Sequence, residues 1–122
     1  MAYHDLREWI ERLESEGELA RVSEKVNWDL EIGGITQETI DRKGPALLFE
    51  NIKDHEDTLC SKLFTGSLAT YSRVALMLGV PKDTPYPDLI KIWRERFKKP
   101  VKPVIVDSGP CSTYSADGHR QS

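Results

Sequence analysis

Apolar positions along the chain follow two rhythms. Leu6, Trp9, Ile10 and Leu13 recur at helical spacing, as do Leu68, Tyr71, Val74, Ala75 and Leu78, and again Leu89, Ile92, Trp93 and Phe97. Stripes of that kind predict amphipathic helices, each burying one side. Between them, Ala46-Leu47-Leu48-Phe49 is an unbroken apolar run that follows the Gly44-Pro45 breaker and closes at Asn51. An unbroken run suits a strand buried on both faces better than one with a wet side, so Ala46 to Glu50 is predicted to be central, with helices covering it.

Punctuation residues set the expected limits. Asp5 can cap the first helix while Glu8 reaches back, a variant of the capping box, and Gly17 can end that helix in a left-handed conformation. Leu19-Ala20-Arg21-Val22 alternates like a short half-buried strand, and a second extended piece is expected around Val26 to Trp28. Asp29 is placed to cap a helix over Leu30 to Arg42, although Gly33-Gly34 costs such a helix about 2 kcal/mol relative to alanine. Close packing against the sheet is the preferred reason for that glycine pair, over a phosphate cradle, because no GxGxxG or Walker pattern surrounds it. Thr58 to Phe64 is predicted to be a strand and Gly66 a turn, after which Ser67 caps a helix that Gly79 ends. Pro87 fits the first turn of a last helix. Pro100 stops it, and Val104-Ile105-Val106 reads as one more short strand. The expected fold class is therefore α/β (α+β), a small mixed β-sheet flanked by about four helices.

Composition changes this picture little. At 122 residues and 39% hydrophobic, the chain has the size of one domain able to bury a core without staples. The division expected is a domain over 1–110 and a polar, flexible tail over 111–122, because Ser112 to Ser122 holds no aliphatic residue larger than Ala116. A net charge of -3 argues against a nucleic-acid partner. The charge is uneven: Met1 to Glu31 carries nine acidic and four basic residues, and Lys82 to Lys102 seven basic and three acidic, so the two ends can attract each other or the basic end an acidic partner. Cys60 and Cys111 make no disulfide framework, and no apolar leader or membrane span is present, which points to a cytoplasmic protein with reduced thiols.

Candidate chemistry is weighed against plainer readings. Glu8, Glu11, Arg12 and Glu14 offer an acid/base face but lie where a solvated helix surface puts them. His55 beside Asp54, Glu56 and Asp57 resembles metal-site material, yet consecutive loop residues rarely converge on one point. Arg94, Arg96, Lys98 and Lys99 complement a helix dipole before they suggest an anion site. A thiol enzyme needs Cys60 or Cys111 near a histidine, but His4 precedes the first helix and His119 sits in the tail, so a free, buried Cys60 is expected. No catalytic, cofactor-binding or metal-binding residue is assigned from these patterns.

The order of segments nevertheless resembles a family. Asp5-Leu6-Arg7-Glu8-Trp9-Ile10 with Leu13-Glu14 and Gly17-Glu18-Leu19, then Asp29-Leu30-Glu31-Ile32, then Gly44-Pro45-Ala46-Leu47-Leu48-Phe49-Glu50-Asn51, then Leu63-Phe64, Gly66-Ser67, Arg73-Val74-Ala75 and Leu78-Gly79-Val80 are similar to the beginning of UbiD-family decarboxylases. The resemblance runs from about Asp5 to Pro110. It implies a lyase: a non-oxidative, reversible decarboxylase of aromatic or α,β-unsaturated acids that uses prenylated FMN with a divalent metal and a monovalent cation, the modified flavin serving as electron sink. It also implies that this chain corresponds to the N-terminal α/β domain. The expected partners are then the flavin-binding and oligomerisation domains, with self-association of the chain as a further possibility. Past Pro110 the chain passes into Cys111-Ser112-Thr113 and departs from the family pattern, so a truncated portion is expected. No cofactor is expected to bind this chain alone, and a stand-alone accessory subunit is the alternative reading.

Overall fold

Helix α1 (Leu6–Ser15) starts where its cap predicts. In the computed structural model, which describes residues 3–109, the Asp5 carboxylate accepts the Glu8 N–H at 2.9 Å, and the Glu8 carboxylate accepts the His4 N–H at 2.7 Å. The reciprocal bond thus falls one residue before the cap rather than on it. Gly17, at φ 72°, ends the helix and turns the chain into β1 (Leu19–Val22). From there α2 (Glu31–Asp41) carries the chain over to β2 (Ala46–Phe49), which lies parallel to β1, with Leu19 opposite Ala46 and Val22 opposite Phe49. β3 (Leu63–Thr65) then pairs antiparallel to β2, giving a mixed three-stranded sheet in the order β1-β2-β3. Helices α3 (Tyr71–Met77) and α4 (Tyr86–Phe97) complete the described chain.

The central strand is buried on both faces, as its unbroken apolar run predicts. Leu47 and Phe49 pack on one side with Val26, Ile32 and Ile52, where α2 supplies Ile32 and a parallel bridge joins Val26 to Ile52. Ala46 points to the other side, among Trp9, Leu13 and Leu76 of α1 and α3. A third cluster, Ala75, Leu78 and Leu89, joins α3 to α4. Fully burying a side chain the size of Phe49 or Leu13 contributes about 1.5–3 kcal/mol, so the two faces of β2 hold the sheet and three helices together.

Several expectations fail for local reasons. The strand predicted over Thr58 to Phe64 is only Leu63–Thr65. Before it, the Thr58 hydroxyl donates to the His55 carbonyl at 3.1 Å and accepts the Cys60 N–H at 3.2 Å, and such side-chain bonds stabilise a turn in place of a ladder. Leu59 is 88% exposed there, and Cys60 is exposed rather than buried. Asp29 does not cap α2 through its carboxylate. Its carbonyl accepts the Glu31 N–H at 2.8 Å across Leu30, which sits at φ 66°. Gly33 and Gly34 have no atom within 4 Å of where a Cβ would stand, so close packing is not the reason for the pair. Ser67 does not cap α3; Thr70 does, accepting the Arg73 N–H at 3.4 Å. Val104, Ile105 and Val106 join no strand and are exposed. Residues 111–122, including Cys111 and His119, lie outside the described residues.

Candidate functional site

Arg73 is the charged group that the fold treats most unusually. It projects from α3 into the interior and is 1% exposed. Its Nε donates to the Gly66 carbonyl at 2.9 Å, and its Nη1 to the Gly44 carbonyl at 3.1 Å and to Glu18 Oε2 at 3.3 Å. One guanidinium therefore ties together the turn after β3, the breaker before β2 and the entry to β1. Burial pulls its pKa down while the Glu18 carboxylate opposes that shift. No buried side-chain polar atom among the described residues lacks a partner. Three of the five N–H donors of Arg73 are spent on the protein itself, which makes it a clamp. Beside it, Trp9 Nε1 donates to the Ser67 hydroxyl at 2.9 Å, pinning α1 to the same turn.

The charged face of α1, read from sequence as solvated surface, forms ion pairs. Arg21 on β1 donates to both carboxylate oxygens of Glu14, at 2.7 and 3.0 Å, and also to Glu50. The hydrogen bonds from Arg21 hold the Glu14 pKa below the usual carboxylate range, and those from Glu14 and Glu50 raise the Arg21 pKa. Arg12 pairs with Glu16 at 2.8 Å. Glu14 and Arg21, each held in its charged form by the other, make a poor proton shuttle near neutral pH. Glu11 stays on the exposed side of the helix.

The remaining candidates do not converge. His55 meets Trp28 edge to face, ring centroids 6.3 Å apart, and turns Nδ1 to the Thr58 hydroxyl at 3.3 Å rather than to the Cys60 thiol. His4 pairs with Glu8 at 2.8 Å. Glu56 is drawn to Lys25 at 2.8 Å, which lowers its pKa. No group of three or more His, Cys, Asp or Glu side chains among the described residues is arranged to hold a metal ion. In the basic end of α4, Arg96 donates to the Leu78 carbonyl at 2.7 Å and Lys98 pairs with Glu95 at 2.7 Å.

Two of the cavities, both beside α3, do not suit a flavin. A cleft of about 580 Å³ runs between α1 and the loop after α3, lined by Arg12, Glu16 and Lys82 among others. Its cations are taken, Arg12 by Glu16 and Lys82 by the Glu16 carbonyl at 2.8 Å. A second groove, of about 220 Å³ between α3 and α4, is apolar and open, lined by Tyr71, Val74, Tyr86, Ile90 and Trp93 among others. Neither supplies phosphate donors together with walls for a tricyclic ring. No helix among the described residues is long and apolar enough to cross a membrane.

Known proteins resemble the whole arrangement. The chain is 32% identical over 121 residues to a phenolic acid decarboxylase of Streptomyces sp. (strain D7), covering 97% of this chain and 25% of that protein. A phenolic acid decarboxylase of Bacillus subtilis (strain 168) is 35% identical over 106 residues, covering 85% of this chain and 22% of that one. Among solved structures, the vanillic acid decarboxylase of Sedimentibacter hydroxybenzoicus matches in its open form with a TM-score of 0.76, 35% identity and 87% of this chain covered. Its closed form matches with a TM-score of 0.76, 34% identity and 88% covered. This chain spans about a quarter of the length of these relatives. They carry the matching stretch within one much longer chain, so the reading as a stand-alone accessory subunit finds no support. The family pattern of the 3-octaprenyl-4-hydroxybenzoate carboxy-lyase N-terminal domain matches residues 10–93, more than half of the sequence, and the chain belongs to that UbiD N-terminal domain family.

Proposed function

We propose that this chain is the N-terminal portion of a cytoplasmic non-oxidative decarboxylase of aromatic or α,β-unsaturated carboxylic acids, and that it serves that enzyme as a scaffold and holds none of its chemistry. One observation carries the reading. The match takes in 97% of this chain but only 25% of a phenolic acid decarboxylase, while the described residues build a core in which every buried side-chain polar atom has a partner. Prenylated FMN, when bound, would supply the electron sink for loss of CO2; the two cavities beside α3 do not fit it, and no step is assigned to the described residues. The divalent metal and monovalent cation belong with the flavin in the segments that this chain does not span. What these residues do is structural: β2 and its two helix layers form a rigid block clamped by Arg73. Equal similarity to the open and closed forms of the vanillic acid decarboxylase supports a block that keeps one shape while its placement changes. The domain is taken as residues 1–110, with 111–122 as an extension.

The test is to co-express the chain with a prenyl-flavin synthase, desalt it, record flavin absorbance, and measure CO2 release from hydroxybenzoic and cinnamic acids. No retained flavin and no turnover above a lysate blank is the expected result. Stoichiometric flavin, or turnover, places the chemistry in this chain and ends the scaffold reading.

A further inference from the structure

We draw no further inference here: the strongest candidate, the open apolar groove of about 220 Å³ between α3 and α4 that Tyr71, Tyr86 and Trp93 line, carries nothing, because it is an unpartnered face and nothing in the structure shows what covers it.

Discussion

Two regions of the described chain treat apolar residues in opposite ways. All four side chains of β2 find company: Ala46 and Phe49 are fully buried, and the buried arginine nearby makes three hydrogen bonds. From α4 onward, Trp93, Phe97, Val101 and Val104 to Val106 stand in solvent, Ile105 at 94%. The difference is one of layers. A strand between two helix layers closes its core within the chain, but α4 has a neighbour on one side only, so its other side awaits a second surface. A contiguous exposed apolar surface on an otherwise well-packed chain marks an interface. The first region accounts for stability, and the second leaves apolar surface uncovered.

The largest effect that breaks this contrast comes from truncating a phenylalanine in each region. Phe49→Ala should cost about 4 kcal/mol through lost burial and the cavity left behind, while Phe97→Ala should change monomer stability by less than about 0.5 kcal/mol. Urea unfolding of both variants measures the difference, and comparable losses would show that α4 is covered from within. Next in size is the clamp. Arg73→Met should cost about 3 kcal/mol by leaving the Gly44 and Gly66 carbonyls and Glu18 without their donor. Arg73→Lys should recover only part of it, since an ammonium lacks the planar fork that reaches three acceptors. A lysine as good as the arginine would reduce the clamp to a single charge contact.

The smallest effect concerns acid. Hydrogen bonding to the Glu8 N–H lowers the Asp5 pKa below 3.8, and the pKa values of Glu8, Glu14 and Glu56 are likewise lowered. A carboxylate whose folded pKa is depressed contributes stability that is present above its unfolded value and is lost as pH falls through the folded one. Stability should therefore decline below about pH 4.5 as these groups take up protons. Asp5→Ser keeps a cap but removes the charge, so its acid limb should be flatter than that of the parent. An unchanged limb, read by thermal melts across that range, would remove Asp5 from the acid response.

Much of the self-contained region was legible in sequence because its signals are local. Asp5 and Gly17 bound α1 through bonds to residues within a turn, and the Ala46 to Phe49 run declares a strand without a wet face. Helix α4 was legible for the same reason, from Pro87 and the spacing of Leu89 and Ile92. The failures share a cause as well. Thr58 to Lys62 alternates well enough for a strand, but nothing in the alternation shows that the Thr58 side chain will close a turn first. Ser67 has the chemistry of a cap, yet Trp9, 58 positions away, takes its hydroxyl.

The candidate residues divide along the same line. Local spacing was enough to judge that Glu8, Glu14, His55 and the basic end of α4 lie on solvated surface, because that judgement needs only the helix or loop on which each sits. Nothing in the pattern singled out Arg73, which stands in a helix otherwise read by its apolar members; the nearest signal was an arginine three residues before Leu76, on the side that proves to be buried. By itself the sequence determined where helices and the central strand form, since hydrogen bonds within a turn and the period of apolar residues act over a few positions. Tertiary structure alone decided that Gly44, Gly66 and Glu18 meet at one guanidinium, and which side of α4 stays uncovered. Burial of a charge, or exposure of an aromatic, is a property of what lies opposite in space, and that is set only when distant segments pack.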